Sequence, residues 1–182
     1  MEQSETAPRG GNERNVYLVG FMGVGKSTLG PLLAARWGWR FVDSDREVEA
    51  LCGQTVERVF SVEGEVAFRA YESRALERLS ARRRCVVAVG GGAPTQAHNW
   101  LALRTGLTVY LCLSAAALVE RLAGVRRPLL EGLSPANRAQ KVRDMLRRRQ
   151  SYYRRADLVV AAVGAPTDVV EAIARGVKTC RS

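Results

Sequence analysis

A glycine-rich loop near the N-terminus restricts the fold more than any other feature of this sequence. The segment "GFMGVGKS" (20–27) satisfies the pattern G-x-x-x-x-G-K-[ST]. The β-rich run "NVYLVG" (15–20) precedes it, and "KSTLGPLLAARWG" (26–38) follows with apolar residues at helical spacing and a terminal glycine. A strand, such a loop and a helix in this order predict the first βα unit of a nucleotide-binding α/β domain.

The loop has the chemistry that phosphate binding requires. Its glycines let backbone N–H groups surround phosphate oxygens, and the N-terminus of the following helix adds partial positive charge. Lys26 is placed to reach the β- and γ-phosphates, and the Ser27 hydroxyl can ligate Mg²⁺. A glycine-rich turn without a ligand is the alternative, but the strand before the loop and the helix after it favour nucleotide binding.

The loop does not specify which group receives a phosphoryl group, because GTPases, ATPases, motors and small-molecule kinases share it. The base-reading sequence N-K-x-D of GTPases is absent. The apolar run "CVVAV" (85–89) is followed by glycines, where a Walker B strand would end in aspartate. The length of 182 residues fits a minimal kinase or a bare GTPase, and the missing base-reading sequence argues against the GTPase.

Further β-rich runs alternate with helical patterns along the rest of the chain. The predicted strands cover residues 15–20, 40–44, 85–89, 107–113 and 157–162. The predicted helices cover residues 26–38, pieces of 45–80 broken near Gly53 and Gly64, 114–122, 136–156 and a last segment from about Asp168. This alternation predicts an α/β domain in which helices cover both faces of a parallel sheet and ligands bind beyond the carboxyl ends of the strands.

The sequence predicts a single domain, residues 15–182, after a flexible leader of residues 1–14. The leader has no apolar core typical of a signal peptide, and no apolar run approaches the roughly 20 residues of a membrane span. We therefore expect a cytoplasmic protein without a membrane segment. Cys85 and Cys112 lie in apolar runs and are predicted to be buried thiols, and with one histidine in the chain a Cys/His zinc site is not expected.

The chain carries a net charge of +10, and only three of its 28 basic residues are lysine. Guanidinium groups suit phosphates and carboxylates, so an anionic ligand is one interpretation and a solvated basic surface is the other. The segment "RDMLRRRQSYYRR" (143–155) also interleaves basic residues with tyrosines, as RNA-binding helices do. Its residues Met145 and Leu146, with Tyr152 or Tyr153, equally fit a packed helix face that turns some arginines towards an active site.

Two acids follow the predicted second strand in the segment "FVDSD" (41–45). Asp43 and Asp45, at positions i and i+2 of an extended segment, would face the same side. Beside a phosphate loop, one acid can support the Mg²⁺ shell while the other holds an acceptor hydroxyl and takes up its proton. The alternative for Asp45 is a cap of the next helix, because "SDREVE" has the composition of a helix start.

Three further segments carry groups suited to an anionic acceptor. In "FRAYE", Glu72 can hold Arg69 so that its guanidinium grips a carboxylate, although an ordinary surface ion pair is the alternative. The segment "VGGGAP" (89–94) is either a tight turn or a place where a substrate approaches bare backbone N–H groups. In "RRPLL", Arg127 lies in an interhelical loop that could close over the transferring phosphoryl group.

Taken together, these segments resemble the shikimate kinase family. The motifs "GFMGVGKST", "FVDSD", "FRAYE", "GGGAP", "RRPLL" and "RRRQSYYRRAD" occur in the order and spacing of that family, over about residues 15–175. The resemblance implies a P-loop fold like that of nucleoside monophosphate kinases: an α/β three-layer sandwich with a five-stranded parallel sheet in the order 2-3-1-4-5. It also implies ATP-dependent phosphorylation of the shikimate 3-hydroxyl, in the route to chorismate and the aromatic amino acids.

The resemblance implies roles on the nucleotide side. Catalytic roles fall to Lys26, Asp45 and Arg127. The ATP phosphates would be bound by Gly23, Val24, Gly25, Lys26, Ser27, Thr28 and Arg127, with Arg121 stacked on the adenine. Ser27 would ligate Mg²⁺, and Asp43 would support the ion through water. No basic residue follows the last predicted strand in "AAVGAPTD", so the adenine contacts are expected to be largely backbone.

It also implies roles on the acceptor side. Shikimate would contact Asp45, Arg69, Gly91, Gly92 and Arg149, between walls formed by Phe60, Phe68, Pro128 and Leu129. Arg149 is chosen over its neighbours Arg147 and Arg148 by its spacing to "YYRR". A lid that carries Arg127 is expected over about residues 122–135.

Other functions stay open at this point. Another small P-loop kinase, acting on gluconate or on a nucleotide, would share these features, since gluconate is also a hydroxy acid. A nucleotide-gated nucleic-acid-binding module would account for the +10 charge but leaves the two aspartates and "FRAYE" unexplained. Intact Lys26, Asp45 and Arg127 argue against a catalytically silent relative. Nothing in the sequence requires a dimer, so a monomer without a nucleic-acid partner is expected.

Overall fold

The computed structural model describes residues 14–125 and 128–181, without the side chains of Pro128 and Arg181. The strands of this part are β1 (Val16–Val19), β2 (Arg40–Asp43), β3 (Cys85–Ala88), β4 (Leu107–Cys112) and β5 (Leu158–Ala161). They form one parallel sheet in the order β2-β3-β1-β4-β5. The predicted parallel sheet and its order are thereby confirmed.

Helices connect the strands and cover the sheet. They are α1 (Lys26–Trp37), α2 (Ser44–Cys52), α3 (Val56–Val62), α4 (Gly64–Ser80), α5 (Asn99–Leu103), α6 (Ala115–Leu122), α7 (Pro135–Tyr153) and α8 (Pro166–Arg181). The predicted breaks near Gly53 and Gly64 are confirmed, and both glycines have positive φ. Helix α5 was not predicted, α7 ends earlier than expected, and α8 begins at Pro166 rather than near Asp168. Among the described residues, no helix is both long and apolar enough to cross a bilayer.

The main core surrounds the central strand. All four side chains of β1 are fully buried, as expected for a continuous apolar run in the middle of a parallel sheet. Leu33 of α1, Leu118 of α6 and Ile173 of α8 pack into this core. Cys85 is buried as predicted, whereas Cys112 is only partly buried.

A second, smaller cluster lies among α2, α3 and α4, and we call it the satellite core. Its buried members are Val48, Val59, Phe68 and Ala75. Phe60 packs against it, with its ring centroid 4.4 Å from that of Phe68. The helices that follow β2 therefore have an apolar centre of their own, apart from the core around the sheet.

The parallel strands bring the predicted site segments to one edge of the sheet. β2 ends at Asp43, which is in register with Ala88 of β3, and Ala88 is in register with Leu18 of β1. The phosphate loop after β1, the acids after β2 and the glycines after β3 therefore emerge side by side.

Candidate active site

The phosphate loop has a backbone that requires glycine. A Cβ atom at Gly20 would lie 2.5 Å from the carbonyl oxygen of Leu111, and the φ angle of Gly20 is +144°. Gly23 and Gly25 also have positive φ angles, of +78° and +106°. These conformations turn the chain sharply between β1 and α1, so that the loop and the first turn of α1 present successive backbone N–H groups.

Two side chains of the loop face different surroundings. The Lys26 ammonium donates hydrogen bonds to the carbonyl oxygens of Gly20 and Phe21, at 2.7 and 3.1 Å. The Val24 side chain is buried in the core, and its backbone N–H donates to the Phe21 carbonyl oxygen at 3.3 Å. A cavity of about 270 Å³ in front of the loop is lined by the other loop and helix residues predicted to bind the phosphates: Gly23, Gly25, Lys26, Ser27 and Thr28.

Asp43 links the phosphate loop to α2. One of its carboxylate oxygens accepts a hydrogen bond from the Ser27 hydroxyl at 3.2 Å, and the other accepts one from the Asp45 backbone N–H at 3.0 Å. Asp43 is therefore the N-cap of α2, which begins at Ser44.

The predicted conformation of the two acids is wrong in detail. Asp45 lies in the first turn of α2 and not on an extended segment, because Asp43 already ends β2 and caps the helix. The alternative in which Asp45 is the cap is wrong for the same reason. Both acids nevertheless line the same cavities, so the prediction that they act in one site agrees with their positions.

A second cavity, of about 500 Å³, adjoins the first and is called here the acceptor cavity. Its wall includes most of the residues predicted for shikimate: Asp45, Phe60, Phe68, Arg69, Gly91, Gly92, Leu129 and Arg149. It also includes Glu72 and Gly90, for which the sequence predicted no contact with a ligand. The two cavities share Met22, Ser27, Asp43, Asp45, Gly90 and Gly91.

Arg69 is fixed from behind by two carboxylates. Its guanidinium donates to Glu72 at 2.8 Å and to Glu65 at 2.9 Å, and its side chain is 17% exposed. Burial alone would lower the pKa of Arg69, but the two carboxylates outweigh it, so that the pKa is raised and the charge is secure. The predicted ion pair with Glu72 is therefore part of the cavity wall rather than a solvated surface pair.

Glu72 is a buried acid beside another acid. Its side chain is 1% exposed. Burial is the largest cause that raises the pKa of Glu72, and the nearby Asp45 adds to it. Arg69 and Arg149 oppose the rise, and the resulting pKa is about 7. The ion pair with Arg69 favours the ionised carboxylate, but for this residue desolvation is the larger effect.

The three glycines after β3 differ in what surrounds them. A Cβ atom at Gly90 would lie 2.7 Å from a Glu72 carboxylate oxygen, and one at Gly92 would lie 2.3 Å from a guanidinium nitrogen of Arg69. At Gly91 the nearest atom would be the Gly20 carbonyl oxygen, at 3.4 Å. Gly90 and Gly92 therefore make room for the charged side chains, while Gly91 lies at the boundary between the two cavities.

Only one of three consecutive arginines of α7 lines the acceptor cavity. Arg149 lies beside Gly91, with its guanidinium carbon 5.9 Å from the centre of the Phe21 ring. Arg147 and Arg148 are exposed, and Arg147 pairs with Asp144. The spacing that favoured Arg149 thus selected the arginine that faces the cavity.

The predicted lid is described in part. Arg127 lies outside the described residues, as do residues 1–13 of the predicted leader. Pro128 begins a short 3₁₀ turn, Pro128–Leu130, and Leu129 lines the acceptor cavity. Arg121, at the end of α6, donates to the carbonyl oxygens of Val24 and Ala162, and so connects the phosphate loop to the segment after β5.

Comparison with known proteins gives consistent results. The sequence model of the shikimate kinase family matches residues 22–178. The shikimate kinase of Synechococcus sp. RCC307 is 42% identical over 162 residues, which cover 87% of this chain and 82% of the relative. The structure of shikimate kinase from Acinetobacter baumannii in complex with shikimate has a TM-score of 0.85 and 39% identity, covering 91% of this chain and 93% of the other.

A gluconokinase from Sinorhizobium meliloti has a TM-score of 0.59 at 17% identity, over 92% of this chain and 93% of the other. At that identity the likeness concerns the fold alone. The comparisons therefore favour the shikimate kinase family over the gluconate-type alternative.

Proposed function

This chain belongs to the shikimate kinase family, and we infer that it transfers the γ-phosphoryl group of ATP to the 3-hydroxyl of shikimate, giving shikimate 3-phosphate and ADP. The observation that carries the inference is the shared wall of the two cavities. Ser27, Asp43 and Asp45 line both the cavity at the phosphate loop and the acceptor cavity. A phosphate bound at the loop and a hydroxyl held in the acceptor cavity would therefore meet beside these residues.

Backbone and side-chain groups of the phosphate loop would bind ATP by its phosphates. The backbone N–H groups of residues 23–28 and the Lys26 ammonium supply donors and positive charge where negative charge accumulates during transfer. As the acceptor oxygen forms its bond to the γ-phosphorus, the bond from that phosphorus to the β,γ-bridging oxygen breaks and ADP leaves. Lys26 would stabilise both the departing and the transferred oxygens.

The donor set beside the loop suits Mg²⁺. The Ser27 hydroxyl and the Asp43 carboxylate are in direct contact at 3.2 Å, and hydroxyl and carboxylate oxygens are hard ligands of the kind this ion prefers. Ser27 would ligate the ion, and Asp43 would support it through water. When bound, Mg²⁺ supplies charge neutralisation for the β- and γ-phosphates.

The acceptor cavity has the charges that shikimate requires. Arg69 and Arg149 would grip the carboxylate of the substrate from two sides, and Gly91 and Gly92 would approach its ring hydroxyls. Asp45 would orient the 3-hydroxyl and accept its proton as the new P–O bond forms.

Apolar residues and the lid would complete the site. Phe60, Phe68 and Leu129 line the acceptor cavity, and with Pro128 they would enclose the ring of the substrate. Arg127, which lies outside the described residues, remains the predicted lid arginine that reaches the phosphates. Arg121 would lie beside the adenine, because it already contacts both the phosphate loop and Ala162.

We also propose that the protein acts in the cytoplasm as a monomer without a nucleic-acid partner. Its four cysteines are all free thiols, which suits a reducing compartment. The +10 charge is accounted for in part by arginines that face anionic substrates, and salt-sensitive binding of RNA or DNA at physiological salt would contradict this view.

A coupled assay of ADP release tests the function directly. We expect turnover with shikimate to exceed turnover with gluconate and with nucleoside monophosphates. A rate with shikimate no higher than the background ATPase rate would refute the proposal, and faster turnover of gluconate would replace it with the gluconate-type kinase.

Asp45→Asn tests the assignment of the proton acceptor. The amide retains hydrogen bonding but cannot take up the proton, so we expect kcat to fall by roughly 10²- to 10⁴-fold while ATP binding, measured by calorimetry, persists. A loss of ATP binding would instead place Asp45 on the nucleotide side of the site.

A further inference from the structure

A fully buried tyrosine lies behind the wall of the acceptor cavity. Tyr153 is the last residue of α7 and follows Arg149 by about one helical turn. Its hydroxyl donates a 2.6 Å hydrogen bond to the carbonyl oxygen of Gly91. Both Gly91 and Arg149 line the cavity in front of it. The hydroxyl therefore connects the helix that carries Arg149 to the glycine run after β3.

The Arg149 guanidinium lies next to the same glycine, because a Cβ atom at Gly91 would be 3.7 Å from one of its nitrogens. Burial is the largest cause that raises the pKa of Tyr153, the charge of Arg149 opposes the rise, and the resulting pKa is about 12. The phenol consequently keeps its proton at neutral pH. It can donate that proton to Gly91, and the lone pairs of its oxygen remain available to the Arg149 guanidinium.

The phenol ring is held in one place. Its centroid is 5.3 Å from that of Tyr110 in β4, which is 3% exposed, and the two planes are inclined by 32°. A ring packed in this way against a strand of the sheet has little freedom to move. Its hydroxyl is therefore held in a position from which it can orient Gly91 and Arg149.

We propose that Tyr153 is a positioning residue for the carboxylate end of the acceptor. It acts through Gly91 and Arg149, the two groups that would touch the substrate on the α7 side of the cavity, so the inference rests on the proposed function. A guanidinium that is already oriented loses less rotamer freedom when it binds a carboxylate. The expected contribution is to substrate affinity, because the hydroxyl is hidden from the phosphoryl group behind these residues.

The test compares Tyr153→Phe with Tyr152→Phe in the full-length chain. Each change removes one hydroxyl and keeps the ring, and the Tyr152 ring lies 5.2 Å from the Arg155 guanidinium, with no part in the cavity wall. For Tyr153→Phe we expect the KM for shikimate to rise roughly tenfold, since the partly buried Gly91 carbonyl loses its donor and the neighbouring Arg149 loses a fixed contact. The KM for ATP should stay within about twofold, and Tyr152→Phe should match the wild type.

These readouts separate positioning from a merely structural role. A KM value does not depend on the fraction of enzyme that is folded, so a destabilised Tyr153→Phe protein still reports on substrate affinity. A lower kcat and melting temperature with an unchanged KM for shikimate would overturn the inference, as would equal rises in both KM values.

A double-mutant cycle with Arg149→Ala supplies a second measurement. If Tyr153 acts largely through Arg149, removing its hydroxyl in the Arg149→Ala background should change the KM for shikimate by less than about threefold. Full additivity of the two changes would overturn the link. Absence of shikimate turnover in the wild type would remove the proposed function and this inference together, whereas normal wild-type turnover with an unaffected Tyr153→Phe removes the inference alone.

Discussion

The phosphate loop and the acceptor cavity share a border, yet they are built in different ways. The phosphate loop is one continuous stretch whose binding groups belong mainly to the backbone and to Lys26. The acceptor cavity collects side chains from α2, α3, α4 and α7 together with the glycines after β3. A continuous site can be recognised in the sequence as a motif, whereas a site assembled from distant elements depends on how those elements pack.

The two regions also differ in the charges they carry: the phosphate loop has the single ammonium of Lys26, whereas the acceptor cavity has acids and arginines together. On the acceptor side, Arg69, Glu72, Asp45 and Arg149 interact with one another in a partly buried setting. Apart from Asp45, which would take up the proton, substitutions there are expected to alter affinity for the acceptor or the protonation of the site. Substitutions in the loop are expected to alter the transfer itself, whichever acceptor is bound.

The largest effect expected within the phosphate loop is that of Lys26→Ala. Removing the ammonium withdraws positive charge from the transferring phosphoryl group, so we expect kcat to fall by about 10³-fold in the ADP-release assay. Lys141→Ala, which changes an exposed lysine of α7, is the matched control and should leave kcat unchanged. If Lys26→Ala kept more than a tenth of the activity, the loop would not be the catalytic half of the site.

Glu72→Gln probes the charge on the acceptor side through stability. The pKa of Glu72 rises from 4.5 to about 7 on folding, so between these values the folded protein binds more protons than the unfolded chain. The contribution of Glu72 is therefore fully present below pH 4.5 and is lost as pH rises through 7. This shift in the pKa of Glu72 corresponds to a change of about 3 kcal/mol in the free energy of unfolding. Gln does not titrate, so the variant lacks this pH-dependent change.

Urea denaturation at pH 5 and pH 8 would measure this difference. We expect the free energy of unfolding of Glu72→Gln to fall less between the two pH values than that of the wild type. Glu65→Gln is the control, because Glu65 also pairs with Arg69 but is 65% exposed. Equal pH dependence in the Glu72→Gln and wild-type proteins would show that Glu72 is ionised at both pH values.

Arg69→Ala tests whether the acceptor cavity acts on the acceptor alone. Loss of a charge-assisted contact to the carboxylate should raise the KM for shikimate about 30-fold and leave the KM for ATP unchanged. Arg147→Ala, on the exposed face of α7, is the control. A parallel loss of ATP affinity would mean that the acceptor cavity and the phosphate loop do not bind their ligands independently.

The smallest expected effect distinguishes two neighbouring glycines. In Gly92→Ala the new methyl group would displace the Arg69 guanidinium, which is the flexible end of a long side chain, so we expect folding to persist and the KM for shikimate to rise roughly fivefold. Gly91→Ala places its methyl at 3.4 Å or more from its neighbours and should raise that KM less. The reverse order, measured by steady-state kinetics, would mean that bare backbone at Gly91 matters more than space for Arg69.

Elements with a strong local pattern could be predicted from the sequence. The strands are short apolar runs bounded by glycine or polar residues, and the phosphate loop carries its own signature. Helix α5 could not be predicted, because Asn99–Leu103 is too short to show a helical period. It is stabilised by tertiary contacts, in which the Asn99 and Trp100 side chains donate to the carbonyl oxygens of Ala93 and Pro94.

Within the site, the sequence indicates which types of residue are present more readily than which residue of each type takes a given role. Both Asp43 and Asp45 have a chemistry that caps helices, and only the end of β2 determines which one does so. Gly90 is indistinguishable from its two neighbours in the sequence, and its importance comes from Glu72, which α4 brings towards it. Tyr153 and Tyr152 are likewise identical in type, and the rotation of α7 decides which hydroxyl meets Gly91.

The satellite core also predicts how the protein exchanges its amide hydrogens. Helix α3 has one buried side chain, Val59, and it lies in this small cluster rather than in the core around the sheet. A helix with so little buried surface opens locally, whereas amides of the fully buried β1 exchange only when the whole domain unfolds. Phe60 belongs to α3 and lines the acceptor cavity, so that wall can open on its own while the phosphate loop stays anchored to the slowest-exchanging strand of the sheet.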